Sequence, residues 1–123
     1  METQTVKKSW GSYDDLLRKD DVVVKFLHIS RDQKISNQRH SNRKEKWIVI
    51  SGYGEAILES DVYGKSIVSI KLSPGTTFNV LPNVWHQVKC DTESPVLTVL
   101  EIQEAANNDS CSETDIERKE DIL

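Results

Sequence analysis

Between Gln38 and Glu45, in the stretch Gln38-Arg39-His40-Ser41-Asn42-Arg43-Lys44-Glu45-Lys46-Trp47, an amide oxygen, an imidazole and a carboxylate fall within eight residues. A second imidazole, His86, follows further along the chain. Gln38 and His40 are two apart, so on an extended strand both side chains leave the same face. Glu45 then lies across a short turn, on the strand that continues Trp47-Ile48-Val49-Ile50. If the next hairpin brings His86 alongside, two imidazole nitrogens, one carboxylate and one amide oxygen converge on a point. Such an N/O set suits a divalent ion, zinc foremost, with manganese, iron or cobalt as alternatives, and keeps positions open for water or substrate. Each residue also has an ordinary reading. A strand histidine is usually satisfied or at the surface, Glu45 could simply pair with Arg43 or Lys46, and a water could replace the weak amide of Gln38. A β-sandwich without metal would need all four placements to be coincidence. His28 falls outside the pattern and reads as a strand residue.

The surroundings of this stretch are basic. Residues 31–46 hold six bases against two acids, Asp32 and Glu45, a positive field where an anionic substrate would approach the proposed ion. Arg43 lies two residues before Glu45 and should point to the same side. Lys46 could act as a base if desolvated, because an ordinary lysine is protonated at pH 7. Trp47 and Trp85 read first as packing residues, although Trp85, beside His86, could wall the pocket.

The elements that must position these groups read as β. Val22 to Ile29, Trp47 to Ile50, Glu55 to Glu59, Ser66 to Leu72, Thr76 to Val80, Trp85 to Cys90 and Val96 to Gln103 are short segments rich in β-branched residues. Gly52 with Gly54, Gly64, Pro74-Gly75, Pro82-Asn83 and Pro95 separate them as turns. Many short strands at regular spacing indicate an antiparallel sandwich or barrel. Short helical segments are expected over Tyr13 to Lys19, with Ser12 as cap, and over Asp115 to Ile122. Asn107 to Thr114 is small and polar, so a mobile loop is expected there. The 123 residues suit one domain over 1–123, with a core of about 8–103 and an acidic, partly mobile tail, 104–123. That tail carries seven acids and two bases, so it accounts for −5 of a net charge of −4 and leaves the remainder at +1. No sustained basic surface with interleaved aromatics points to nucleic acid. Two widely spaced cysteines, Cys90 and Cys111, match no disulfide or zinc framework. With no apolar leader and no membrane-length apolar run, a cytoplasmic location is the expectation.

The spacing of Gln38, His40, Glu45 and Gly52 resembles the first motif of the cupins, and Gly75 through Pro82 to His86 resembles the second. Trp10-Gly11-Ser12-Tyr13 and Asp115-Ile116-Glu117-Arg118 narrow the likeness to the type II mannose-6-phosphate isomerases, over roughly Lys8 to Asp121. In that family the domain often follows a mannose-1-phosphate guanylyltransferase. The resemblance implies an antiparallel double-stranded β-helix, or jelly roll, and a metal held by Gln38, His40, Glu45 and His86. It also implies Arg43 on the substrate or its phosphate, and interconversion of mannose 6-phosphate and fructose 6-phosphate through an enediolate. Cupins of this kind often pair through their sheets, so a homodimer is expected, with Val22 to Ile29 or the first residues contributing. The alternative is a non-catalytic, metal-dependent cupin that binds a sugar or sugar phosphate. It is favoured by Lys46, where the family usually has His, and by a second motif with only three residues between Pro82 and His86 and Val84 or Trp85 where a Gly is expected.

Overall fold

The computed structural model of the chain describes residues 3–60, 65–106 and 111–122. Eleven strands, numbered along the chain, form two antiparallel sheets, and no helix occurs among the described residues. The six-stranded sheet runs β1 (Gln4–Lys8), β2 (Gly11–Arg18), β3 (Val22–Ser30), β10 (Val96–Ala105), β5 (Arg43–Ser51) and β8 (Thr77–Val80). The five-stranded sheet runs β11 (Glu117–Lys119), β4 (Asn37–Arg39), β9 (Trp85–Cys90), β6 (Gly54–Ser60) and β7 (Ser66–Leu72). From β3 onward successive strands alternate between the sheets, apart from the β6–β7 hairpin, as in a double-stranded β-helix, and β4 and β5 flank the turn that carries His40 from one sheet to the other.

Period-2 alternation decides what each strand contributes. In β10, Leu97, Val99, Glu101 and Gln103 face inward, while Thr98, Leu100 and Ile102 face out. In β3, Val23, Lys25, Leu27 and Ile29 face inward. The apolar members join Trp47, Val49, Phe78, Val80 and Val88 in one core between the sheets. Trp47 stacks on Phe78, with ring centroids 5.6 Å apart and planes 17° from parallel. The polar members, Lys25, Glu101 and Gln103, sit toward one end of the same interior. Gly52 bridges β5 and β6 at φ +88°, and a Cβ there would lie 2.1 Å from the Val96 carbonyl oxygen. Only glycine permits that approach.

Both expected helical segments are strands instead. Tyr13 to Arg18 lies in β2, paired with β1 and β3, with a register shift between Asp15 and Leu17. That bulge puts Tyr13, Leu16 and Leu17 at i, i+3 and i+4, which imitates helical spacing inside a strand. Asp115 to Ile122 contains β11, which pairs with the short edge strand β4 and satisfies its open backbone groups. The described part of the expected acidic tail is likewise fastened down. Glu113 accepts from Arg18 at 2.9 Å and Lys25 at 3.1 Å, and the Cys111 amide donates to the Asp20 carbonyl at 2.7 Å. The expected turn at Gly64 and residues 107–110 of the expected mobile loop lie outside the described residues. β3, expected at a dimer contact, has both edges filled by β2 and β10, so it can offer only its outer face. No helix among the described residues is long and apolar enough to cross a membrane.

The inward phase of β10 has a direct stability consequence. Leu97→Ala, at a position with no exposure, should lower unfolding stability by about 2–5 kcal/mol. Val96→Ala, one residue away and 38% exposed, should change it by about 0.5 kcal/mol or less. Equal losses in chemical denaturation would mean that β10 is out of register.

Candidate metal centre

Three strands and one turn bring the central groups together. β5 supplies Arg43, Glu45 and Trp47 on one face, because positions two apart share a side. The turn after β4 supplies His40, and β9 supplies His86 from the opposite sheet. One ligand atom from each of His40, Glu45 and His86 lies within 4.8 Å of the others, and all three residues are buried. Asn83, at φ +67°, makes the left-handed turn before β9, and its amide donates to the His40 carbonyl at 2.7 Å. Asparagine tolerates that conformation. Gln38 stands directly opposite His86 in the β4–β9 pairing, and opposed residues share a face.

The protonation of both histidines follows from their partners. A guanidinium can only donate, so the His40 Nε2 atom, 2.9 Å from Arg43 Nη2, must accept. The His40 proton is then on Nδ1, which donates to the Asp115 carbonyl at 2.7 Å. Burial pushes the His40 imidazole down to about 4, against the opposing pull of Glu45, so it is neutral at pH 7. His86 Nδ1 faces the Val84 carbonyl at 3.0 Å and must carry a proton there. Its Nε2 atom is buried, has no hydrogen-bond partner of its own, and lies 3.2 Å from Glu45 Oε1. A buried ring nitrogen without a hydrogen-bond partner, beside a carboxylate, is a place where a cation between the two would engage both. Two imidazole Nε2 atoms and a carboxylate oxygen within 4.8 Å of one another form a donor set that fits a divalent ion, provided that Arg43, which takes the His40 Nε2 lone pair here, gives that atom up to it.

Glu45 is the hub of the cluster. Its Oε2 accepts from Arg43 Nε at 3.0 Å and its Oε1 from Trp47 Nε1 at 3.0 Å. Burial by itself would raise its pKa, but His86 and Arg43 outweigh that and hold the carboxyl well below its usual range. Glu101 shows the opposite result. Burial first, then repulsion from Glu45, pushes it well above the ordinary carboxylate value, and it shares a hydrogen bond with Glu45. Gln103 Nε2 donates to Glu101 Oε1 at 3.1 Å. Beside the cluster opens a cavity of about 440 Å³, lined by Gln38, Trp47, Glu101, Lys25, Tyr13 and Trp10 among others. That volume falls within the usual range for small-molecule sites.

Two of the sequence-derived site residues are placed elsewhere. Lys46 alternates with Glu45 along β5 and is exposed on the outer face of the sheet, so it cannot reach the cavity as a base. Trp85 alternates with His86 and faces away from the cavity. It is covered on the outside by Arg39 at 4.8 Å and Lys119 at 4.3 Å from its ring centroid. Arg43 points inward as expected, but its guanidinium is held by His40 and Glu45. His28 lies on the outer side of β3, between Asp14 at 2.9 Å and Thr98 at 3.2 Å. Sequence reasoning missed Glu101, Gln103 and Lys25. The available signal was a polar residue at an inward position of an otherwise apolar alternation. Asp115 was noted only as part of a motif. Here its carboxylate accepts from Ser41 N and Oγ and from Asn42 N at 2.7–2.9 Å, which fixes the turn that carries His40.

Known proteins share the fold and, in sequence, the family. The chain resembles the capsular polysaccharide assembling protein CapF from Staphylococcus aureus with a TM-score of 0.79 and 15% identity, over 98% of this chain and 33% of that one. It resembles an oxalate decarboxylase of Bacillus subtilis with a TM-score of 0.75 and 10% identity, over 93% of this chain and 29% of that one. At these identities the likeness is one of fold, the cupin double-stranded β-helix. In sequence it is 32% identical to the alginate biosynthesis protein AlgA of Pseudomonas fluorescens and 31% identical to that of Pseudomonas putida, over 98% of this chain in each case. The xanthan biosynthesis protein XanB of Xanthomonas campestris is 28% identical over 94% of the chain. The chain spans about a quarter of the length of these relatives, 22–23%. The family model described as mannose-6-phosphate isomerase C-terminal matches residues 1–121, and the chain belongs to that family.

Proposed function

We propose that this chain is a metal-dependent sugar-phosphate isomerase that interconverts mannose 6-phosphate and fructose 6-phosphate. The observation that carries the reading is the buried His40–Glu45–His86 cluster, with both imidazoles turned Nε2 inward, beside a cavity lined by cations. Gln38, His40, Glu45 and His86 would hold the ion, zinc first, with manganese, iron or cobalt as alternatives. When bound, a divalent ion supplies Lewis-acid polarisation of the sugar carbonyl and hydroxyl and stabilises the developing enediolate charge. The protein supplies the rest. Trp47 and Arg43 fix the Glu45 carboxylate, while the Asp115 and Val84 carbonyls fix the two imidazole tautomers. Glu101, which lines the cavity and touches Glu45, is the group we assign to carry the proton between C1 and C2, in place of Lys46. Its neighbour Gln103 orients it.

One observation favours a second reading. With Lys46 on the outer face and Arg43 engaged by the cluster, neither residue first assigned to catalysis lines the cavity. A non-catalytic cupin that binds a sugar phosphate through the same metal would have this arrangement. We further propose a cytoplasmic location and a two-fold homodimer. The dimer is assigned to the outer face of the six-stranded sheet, where Phe26, Leu100 and Ile48 stand opposite one another.

His86→Ala should reduce bound divalent metal to a small fraction of wild type, measured on purified protein by elemental analysis, with the far-ultraviolet β spectrum retained. Undiminished metal content would remove the centre. Glu101→Gln keeps the shape and the Gln103 contact but cannot exchange a proton. It should lower kcat for mannose 6-phosphate isomerisation by about 100-fold or more at normal metal content. Wild-type protein that turns nothing over with any of the four metals, yet is stabilised by mannose 6-phosphate, establishes the binding reading instead. For assembly, sedimentation at micromolar concentration should give a species of twice 14.0 kDa, and a monomer alone would refute the dimer.

A further inference from the structure

Four cationic side chains line the cavity: Lys8, Lys25, Lys34 and Arg118. Lys25 is paired with Glu113 at 3.1 Å and lies 4.4 Å from the centre of the Tyr13 ring. Lys34 is paired with Asp121, and Lys8 lies 5.9 Å from the same Tyr13 ring. Arg118 has no carboxylate or ring partner among the described residues. The strand that carries it is nonetheless pinned on both sides. Glu117 bonds to Arg39 at 3.1 Å, and Lys119 bonds to Glu59 at 2.8 Å and covers Trp85. These neighbours face outward and spend their charges on the outer surface. The alternate residue, Arg118, faces inward with its charge uncompensated.

Its position in the sheet is specific. Arg118 stands opposite Gln38, and Gln38 stands opposite His86. The three therefore form one row across the inner face of the sheet, from the cavity rim to the metal cluster. With neighbouring strands about 4.8 Å apart, the row spans about 10 Å between the Cα atoms of Arg118 and His86. An open-chain six-carbon sugar with its carbonyl end at the cluster extends its last carbon over a comparable distance. A phosphate on that carbon would meet the Arg118 fork, whose planar donors match a phosphate bidentately. Arg118 is exposed, so its cost of desolvation is small.

We infer that Arg118, and not Arg43, recognises the anionic end of the substrate, a phosphate monoester on the sugar carbon farthest from the metal cluster. The assignment rests on the sugar-phosphate reading above and adds the residue that makes the site selective for the phosphorylated sugar. Arg43 stays a positioning residue, held by His40 and Glu45.

Calorimetric titration of the metal-loaded full chain with mannose 6-phosphate, mannose and inorganic phosphate tests this. Arg118→Ala should weaken mannose 6-phosphate binding by about 10- to 100-fold, the range for charge-assisted hydrogen bonds, with mannose binding and the far-ultraviolet spectrum unchanged. Arg118→Lys should recover part of the loss. Lys44→Ala removes the same charge from an exposed position on β5 and should bind the ester as wild type does. Inorganic phosphate should bind wild type more weakly than the ester. Unchanged ester binding by Arg118→Ala would overturn the assignment and leave the sugar-phosphate reading standing. Inorganic phosphate held as tightly as the ester would also overturn it, as a mark of a general anion site. Wild type that binds neither mannose nor its phosphate would overturn both.

Discussion

Glu45 is a carboxylate sealed between two β-sheets, and much of the structure follows from keeping a charge there. A buried carboxylate without partners costs several kcal/mol, so every group around it is a requirement of the fold as well as of the site. Arg43 and Trp47 come from the same strand at the two positions that alternation allows, and they saturate one lone pair on each oxygen. His40 arrives across the β4–β5 turn, and His86 arrives from the opposite sheet. Glu45 thereby joins the two layers at the open end of the barrel, where the apolar core of Val49, Val88 and Val99 no longer reaches.

The same constraint explains why the second carboxylate behaves differently. Two carboxylates in contact inside a low-dielectric interior cannot both ionise cheaply. Arg43, His40 and His86 surround Glu45, whereas Glu101 feels burial and the repulsion of Glu45, offset only in part by Arg43 and then Lys25, with Gln103 donating to it. The two acids are thereby driven in opposite directions from the ordinary carboxylate value.

The end of the chain belongs to this machinery. Asp115 binds the backbone of the turn at Ser41 and Asn42, and its carbonyl sets the His40 tautomer. Glu113 neutralises Lys25, β11 covers the edge of β4, and Asp121 reaches Gln87 at 2.9 Å on the far side of the sheet. An acidic composition suggested a solvated tail. Glu113, Glu117 and Asp121 are instead matched to bases far away in sequence, which no local count of charge reveals.

The sequence by itself determined the β class, most strand positions and the three clustered groups, because these depend on local quantities. Alternation with period 2 marks Ser66–Leu72, β-branched composition between turn residues marks Trp85–Cys90, both with their full bounds, and close spacing in sequence keeps Gln38, His40 and Glu45 near one another across the β4–β5 turn. Whatever depended on pairing between distant segments was decided only by the tertiary structure. The bulge in β2 imitates a helix until β1 and β3 are seen on either side. β11 is a strand only because β4 offers an edge. Lys46 and Trp85 adjoin Glu45 and His86 in sequence but face away from them, since one step along a strand reverses the direction of a side chain. Glu101 carries no motif and Arg118 stands in one that says nothing of its neighbours; sheet register sets one beside Glu45 and the other in line with Gln38 and His86. Register is a property of two strands at once, and a single stretch of sequence holds only one of them.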